Sequence, residues 1–196
     1  YPGRFRVIGL AARQNMGLLA GQAKKFSPHY IGIGDEKKVK DFKKLYPSKG
    51  IKIGAGPEGL NYLAALREAD LVVVAMSGSI GLGPILHAIE AGNDLAIANK
   101  EPLVVAGPLI TAQAEKRKVK ILPLDSEHSA VFQCLDGQDI SSVRSIVLTA
   151  SGGPLHEIPC SRFDTIPVKK ILRHPRWKMG KKISVDSATL MNKGFE

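Results

Sequence analysis

Short runs that are apolar on both faces recur along this chain at intervals that leave room for one helix between each pair. Examples are "DLVVVAM" (70–76), "DLAIANK" (94–100) and "VKILPL" (119–124). A strand with no polar face must be covered on both sides, which is the habit of a parallel sheet wrapped by helices. The rhythm predicts strands at 4–12, 30–35, 51–56, 70–76, 94–100 and 119–124, and helices at 16–26, 36–46, 57–69, 83–92 and 103–118. Leu60, Leu63, Ala64 and Leu66 share one helical stripe, and Gly92 is placed to end a helix in the left-handed conformation. From about residue 122 the pattern changes to a longer helix, a strand at 145–150 and a loop rich in Gly and Pro. The expected architecture is α/β: a Rossmann-like doubly wound parallel sheet over 1–121, then an α+β domain over 122–196.

Composition narrows the function classes. A hydrophobic fraction of 44% supports a packed core and excludes a disordered chain. No apolar run approaches the ~20 residues of a membrane span, and no targeting segment is visible. Cys134 and Cys160 form no CxxC pattern, which suits a reducing compartment. The net charge of +10 is concentrated in 36–44, 115–120 and 173–182. Such a balance serves nucleic acid, acidic membranes or a phosphorylated small molecule. The first two clusters lie on predicted helices and read as solvated faces. The third, "RHPRWKMGKK", mixes His, Trp, Pro and Gly as a plain helix does not.

Ligands of a doubly wound fold gather at the carboxyl ends of its strands. Five stretches rich in chemistry fall there: "AARQN" (11–15), "SGSIG" (77–81), "ANKE" (98–101), "LDSEH" (124–128) and "ASGG" (150–153). Arg13 at a strand end suits the 2′-phosphate of NADP, or is a surface arginine. Glycines 78, 81 and 83 follow a late strand at the wrong spacing for a dinucleotide fingerprint and read as a tight turn. Lys100 beside Glu101 is either a surface ion pair or a cation steering a phosphorylated or enolate-forming substrate. "TASGG" offers a hydroxyl and unhindered amides, an anion nest or an ordinary turn.

Asp125 and Glu127 pose the sharpest question. If strand geometry persists that far, residues i and i+2 face one point, and two converging carboxylates need a hard divalent cation. The alternative is a helix cap, with Asp125 or Ser126 at the start of "EHSAVFQCL". A helical wheel of the segment 183–196 places Ala188, Met191 and Phe195 on one arc and Asn192, Lys193 and Glu196 on another, with Asp186 or Ser187 as the N-cap near the start of that helix. An amide, a cation and a carboxylate on one face suit a phosphate beside a metal; a solvated face is the plain alternative.

The motifs "ANKE", "LPLDSEHSAVFQ", "LTASGGP" and "HPRWKMGKKISVDSATLMNKGFE", in that order, resemble the 1-deoxy-D-xylulose 5-phosphate reductoisomerase family. The resemblance covers essentially the whole chain. It implies an NADPH-dependent, metal-dependent rearrangement and reduction of 1-deoxy-D-xylulose 5-phosphate to 2-C-methyl-D-erythritol 4-phosphate, in non-mevalonate isoprenoid synthesis. It further implies Asp125, Glu127 and Glu196 as ligands of Mg²⁺ or Mn²⁺, with Lys100 and Ser126 beside the reacting carbons. Ser151, His174, Ser187, Asn192 and Lys193 match the substrate and phosphate site. Asn99, Glu101, Gly180 and Ala75 match positions near NADPH, as does the segment through Arg13, Gln14 and Asn15. A homodimer in the bacterial cytosol or plastid stroma is implied in the same way. The family's "GxTGxIG" turn is absent, as is its carboxyl-terminal helical domain, so the expectation is a middle segment of a longer enzyme. Arg13 stands where the family would place a small residue.

Two rival classes remain at this level: an NADP-dependent dehydrogenase that needs no metal, and a basic domain binding anions or nucleic acid. The resemblance favours a small phosphorylated substrate, with neither nucleic acid nor membrane as partner. Within 174–182, Trp177 between Pro175 and Gly180 suggests a lid over the substrate, against the alternative of a core tryptophan.

Overall fold

The computed structural model describes residues 3–47 and 50–196. Its contacts divide the chain into two compact units, Tyr1–Leu124 and Asp125–Glu196. In the first unit β1 (Gly9–Ala12), β2 (Tyr30–Ile33) and β3 (Lys52–Ala55) pair in that order, all parallel. A second parallel sheet follows, β4 (Leu71–Val74), β5 (Asp94–Ile97) and β6 (Ile121–Pro123). Parallel neighbours need crossovers, supplied by α1 (Met16–Phe26), α2 (Val39–Leu45), α3 (Gly56–Ala64), α4 (Leu82–Ala91) and α5 (Glu101–Arg117). The predicted α/β alternation is therefore present. Its six strands lie in two ladders, with no pairing between them among the described residues. No described helix is long and apolar enough to cross a membrane.

Each sheet has its own core. Met16, Leu19, Ala23 and Phe42 pack on Ile31 and Ile33, while Ile85, Ile89 and Ile110 pack on Val74, Leu95 and Ile97. All four residues of β2 are buried, as expected of a strand between two neighbours. Local chemistry sets the helix ends. Asn15 Oδ1 accepts from Leu18 N–H at 3.0 Å at the start of α1, and Gly92 (φ +84) closes α4. The helix expected at 103–118 begins earlier, with Pro102 in its first turn, and kinks at Ala106 because Pro108 cannot continue the hydrogen-bond ladder. The strand predicted at 4–12 pairs only from Gly9.

The second unit contains α6 (Ser126–Leu135), α7 (Val168–Ile171), α8 (Lys181–Ala188) and α9 (Met191–Phe195). The strand expected at 145–150 does not form, and Val147 is 81% exposed. Its composition suits a strand, but a strand exists only through a partner, and no described residue pairs with it. The helix expected to start at Asp186 or Ser187 and run to the end of 183–196 is broken at Leu190, which adopts φ +60. Asp186 and Ser187 consequently lie inside α8 near its end and are not N-caps; α8 starts after Gly180.

One packing constraint is a direct test of the first unit. A Cβ on Gly59 would lie 2.3 Å from the Gly54 carbonyl carbon, so α3 sits on β3 at backbone contact. Gly59→Ala should destabilise the protein by about 2 kcal/mol, within the usual cost of overpacking. Gly21→Ala, on an open face of α1 with nothing within 4 Å, should instead be neutral or stabilising by about 0.5–1 kcal/mol. Denaturant midpoints of the two variants measure the contrast.

Candidate metal and anion site

The stretch that carries Asp125 and Glu127 is a strand-to-helix junction. β6 stops at Pro123, and Asp125 (φ −57, ψ 136) occupies the N-cap position of α6 without making a side-chain cap hydrogen bond. Strand alternation is therefore not what aligns the two acids. They converge because the cap position and the first helical turn point their side chains towards the same helix end. Glu196, directly after α9, brings the third carboxylate. One oxygen from each of Asp125, Glu127 and Glu196 lies within 4.8 Å of the others. Opposite oxygens around an octahedral Mg²⁺ are separated by about 4 Å, so this hard, all-oxygen donor set fits such an ion.

Lys193 governs the electrostatics of the cluster. Its Nζ donates to Glu127 Oε1 and to Glu196 Oε2, both at 2.5 Å. Asn192 Nδ2 donates to Glu196 Oε1 at 2.8 Å, and Ser126 Oγ donates to Glu127 Oε2. Burial pushes the Glu127 carboxyl upward, but the hydrogen bonds from Lys193 and Ser126, with backbone help and the Lys193 charge, outweigh it and hold the group at about 2. Glu127 is thus ionised throughout the neutral range. The expected arc of Asn192, Lys193 and Glu196 is realised, with Asn192 and Lys193 in α9 and Glu196 directly after it. His128, which the sequence reading passed over, brings Nε2 to 3.4 Å from the Glu196 carbonyl oxygen.

A second cluster in the same unit joins Ser151, His174 and Ser187. His174 is buried, with Nε2 2.9 Å from Ser151 Oγ, and Ser151 Oγ lies 3.4 Å from Ser187 Oγ. Gly152 (φ +86) and Gly153 (φ +63) turn the chain beside it, and a Cβ at Gly153 would meet the Ser187 carbonyl oxygen at 2.6 Å. "ASGG" is therefore a turn packed on the end of α8. Trp177 is not a core residue: it is 55% exposed, and its ring stacks on His174 at 4.8 Å. The Gly152–Gly153 pair beside Ser151 is legible in the sequence; the contact of Gly153 with Ser187 is not, because it joins residues 34 positions apart.

In the first unit Lys100 is buried at the start of α5, which overturns its reading as a surface ion pair. Asn99 is buried too: its Nδ2 donates to Gly78 O at 3.0 Å, while Oδ1 has no hydrogen-bond partner among the described residues. Gly81 packs under it, where a Cβ would lie 3.3 Å from Asn99 Nδ2. Glu101 opens α5. Arg13 and Gln14 are exposed just beyond β1, Ala75 is exposed just beyond β4, and Asn15 spends its side chain on the α1 cap.

Residues 1–107 match the family model described as 1-deoxy-D-xylulose 5-phosphate reductoisomerase, and residues 121–196 match the model of that enzyme's C-terminal domain. The chain belongs to the 1-deoxy-D-xylulose 5-phosphate reductoisomerase family. It is 46% identical to the reductoisomerase of Pelotomaculum thermopropionicum over 100% of its own length and 51% of that protein. With that of Protochlamydia amoebophila it shares 45% over 98% of this chain and 50% of the relative. Among solved structures, a DOX-P reductoisomerase in complex with NADPH, fosmidomycin and magnesium superposes with a TM-score of 0.90 at 36% identity, covering 100% of this chain and 50% of that one. The Zymomonas mobilis reductoisomerase in complex with NADPH gives 0.87 at 37%, covering 98% of this chain and 49% of that one. The chain thus spans about half the length of the reductoisomerases it matches.

The carboxylate cluster makes its own prediction. Removing the ammonium in Lys193→Met leaves Glu127 and Glu196 facing each other, with side chains that are 21% and 0% exposed. The complete protein should lose about 2 kcal/mol of stability in EDTA, and Mg²⁺ should restore most of it. Thermal denaturation with and without the ion reads both effects.

Proposed function

We propose that this chain is the cofactor-binding and metal-binding part of an enzyme that converts 1-deoxy-D-xylulose 5-phosphate to 2-C-methyl-D-erythritol 4-phosphate. The proposed reaction rearranges the carbon skeleton to a branched aldehyde phosphate, and NADPH would supply the hydride that reduces this aldehyde to the product. The observation that carries the reading is the convergence of Asp125, Glu127 and Glu196 within 4.8 Å, in the same unit as the Ser151, His174 and Ser187 cluster. A basic nucleic-acid-binding domain has no use for three converging carboxylates. A dehydrogenase without metal has none either.

The roles follow from the chemistry of each group. Asp125, Glu127 and Glu196 would hold Mg²⁺ or Mn²⁺; the bound ion supplies Lewis-acid stabilisation of charge on the substrate's oxygens. Ser151, Ser187, Asn192 and Lys193 offer hydroxyl, amide and ammonium donors to the phosphate, with His174 behind them. Ser126 holds one oxygen of Glu127 and so keeps that carboxylate aimed. Lys100 is assigned the cation that steadies enolate-like charge, and Trp177 the lid. On the cofactor side, Arg13, Gln14, Asn15, Ala75, Asn99, Glu101 and Gly180 are assigned to NADPH. The Asn99 assignment draws support from its buried Oδ1, which has no hydrogen-bond partner among the described residues and needs a donor. A homodimer and a location in bacterial cytosol or plastid stroma follow from family resemblance alone.

The metal roles are tested with the complete protein. NADPH oxidation with the deoxyxylulose phosphate should stop in EDTA and return with Mg²⁺ or Mn²⁺. Asp125→Asn should lower kcat/KM by at least about a hundredfold and weaken Mn²⁺ binding measured by calorimetry. A variant that melts earlier yet turns over normally would restore the helix-cap role. For the cofactor, Arg13→Ala should raise the KM for NADPH and leave that for NADH nearly unchanged; equal losses would remove Arg13 from the 2′-phosphate.

A further inference from the structure

We infer that His174 is a positioning residue that acts on the bound anion through Ser151, as the middle link of a one-way chain of hydrogen-bond donors. This rests on the phosphate-site reading above only for the identity of the ligand. The backbone N–H groups of Arg176 and Trp177 both donate to His174 Nδ1, each at 3.1 Å. Pro175 has no N–H, so these are the first two amides of the turn that can reach back. A ring nitrogen that accepts two amide hydrogens carries none of its own, so the hydrogen of the neutral imidazole sits on Nε2. Nε2–H must then donate to Ser151 Oγ at 2.9 Å.

The consequence falls on Ser151. A hydroxyl has one hydrogen, and with its oxygen accepting from His174 that hydrogen must point to another acceptor. Ser187 Oγ, at 3.4 Å, is longer than an ordinary O–H···O hydrogen bond and is a poor one. Ser151 therefore presents its proton outward, as a donor aimed at an oxygen of the anion. The stacked Trp177 ring, inclined by 18° to the imidazole, keeps His174 from rotating out of this alignment. A site whose inner hydroxyl is held as a donor selects an acceptor-only group such as a phosphate dianion. Histidine gives direction here, not charge.

The test uses the complete protein with ¹⁵N-labelled histidine and inorganic phosphate as the probe. Without ligand, long-range ¹H–¹⁵N spectra should show His174 protonated on Nε2 and bare on Nδ1; a hydrogen on Nδ1 overturns the inference. Phosphate binding should weaken about tenfold in Ser151→Ala and by a similar factor in His174→Leu. The double variant should bind within about twofold of Ser151→Ala alone, since one link cannot be lost twice. His174→Gln, whose amide can still donate near the Nε2 position, should recover part of the loss. Additive losses would place His174 directly on the anion and refute the chain. A protein with the Nε2–H form that binds no phosphate would support the proton order and sink the phosphate-site reading instead.

Discussion

Three carboxylates that converge within one coordination shell repel strongly unless a cation lies among them, and that requirement organises the second unit. At 4 Å two like charges cost about 4 kcal/mol in a protein-surface environment, and the three carboxylates here come within 4.8 Å of one another. Lys193 answers part of it from inside α9, one turn from Glu196. The break at Leu190 matters for the same reason. It restarts the helix, so that Asn192, Lys193 and Glu196 form one short polar face beside Glu127. A divalent ion would bring more positive charge to the same oxygens and would share their compensation with the ammonium.

The first unit depends on a different constraint. Parallel ladders need crossovers, and where helices cover the strands, as on β2, they must approach closely; Leu71 and Val73 of β4 stay 43% and 60% exposed, so the second sheet is not covered on both faces. Gly54 and Gly59 permit backbone contact between β3 and α3, and Gly81 makes room beneath Val74 and Asn99. The buried Lys100 and Asn99 lie just beyond β5, where polar groups accumulate in this class of fold. Their burial distinguishes them from the many surface lysines that account for the net charge of +10.

In the second unit the structure changes the physical reason behind several expectations. The i, i+2 spacing of Asp125 and Glu127 signalled a ligand pair by strand alternation, yet a helix start aligns them. Asp186 looked like a cap and lies inside α8, paired with Lys182 at 2.6 Å. The sequence leaves Trp177 open between core and lid; at 55% exposure and stacked on His174 it is not a core residue.

By itself the sequence determined what depends on neighbours along the chain. The alternation of strands and helices, the Gly92 helix end, and the i, i+4 pairing of Asn192 with Glu196 are all local in origin, and each is legible because period and residue type suffice. The resemblance of long motifs implied a ligand set, Asp125, Glu127 and Glu196, that local reasoning left open, and these three carboxylates do converge. Tertiary structure alone decided what depends on distant partners. Two ladders in place of one, and the unpaired 145–150 segment, are questions of which edge meets which. The meeting of Glu127 with Lys193 spans 66 positions, and that of His174 with Ser151 spans 23. The proton order at His174 was least visible of all, because it is set by two backbone amides, and every residue but proline carries one.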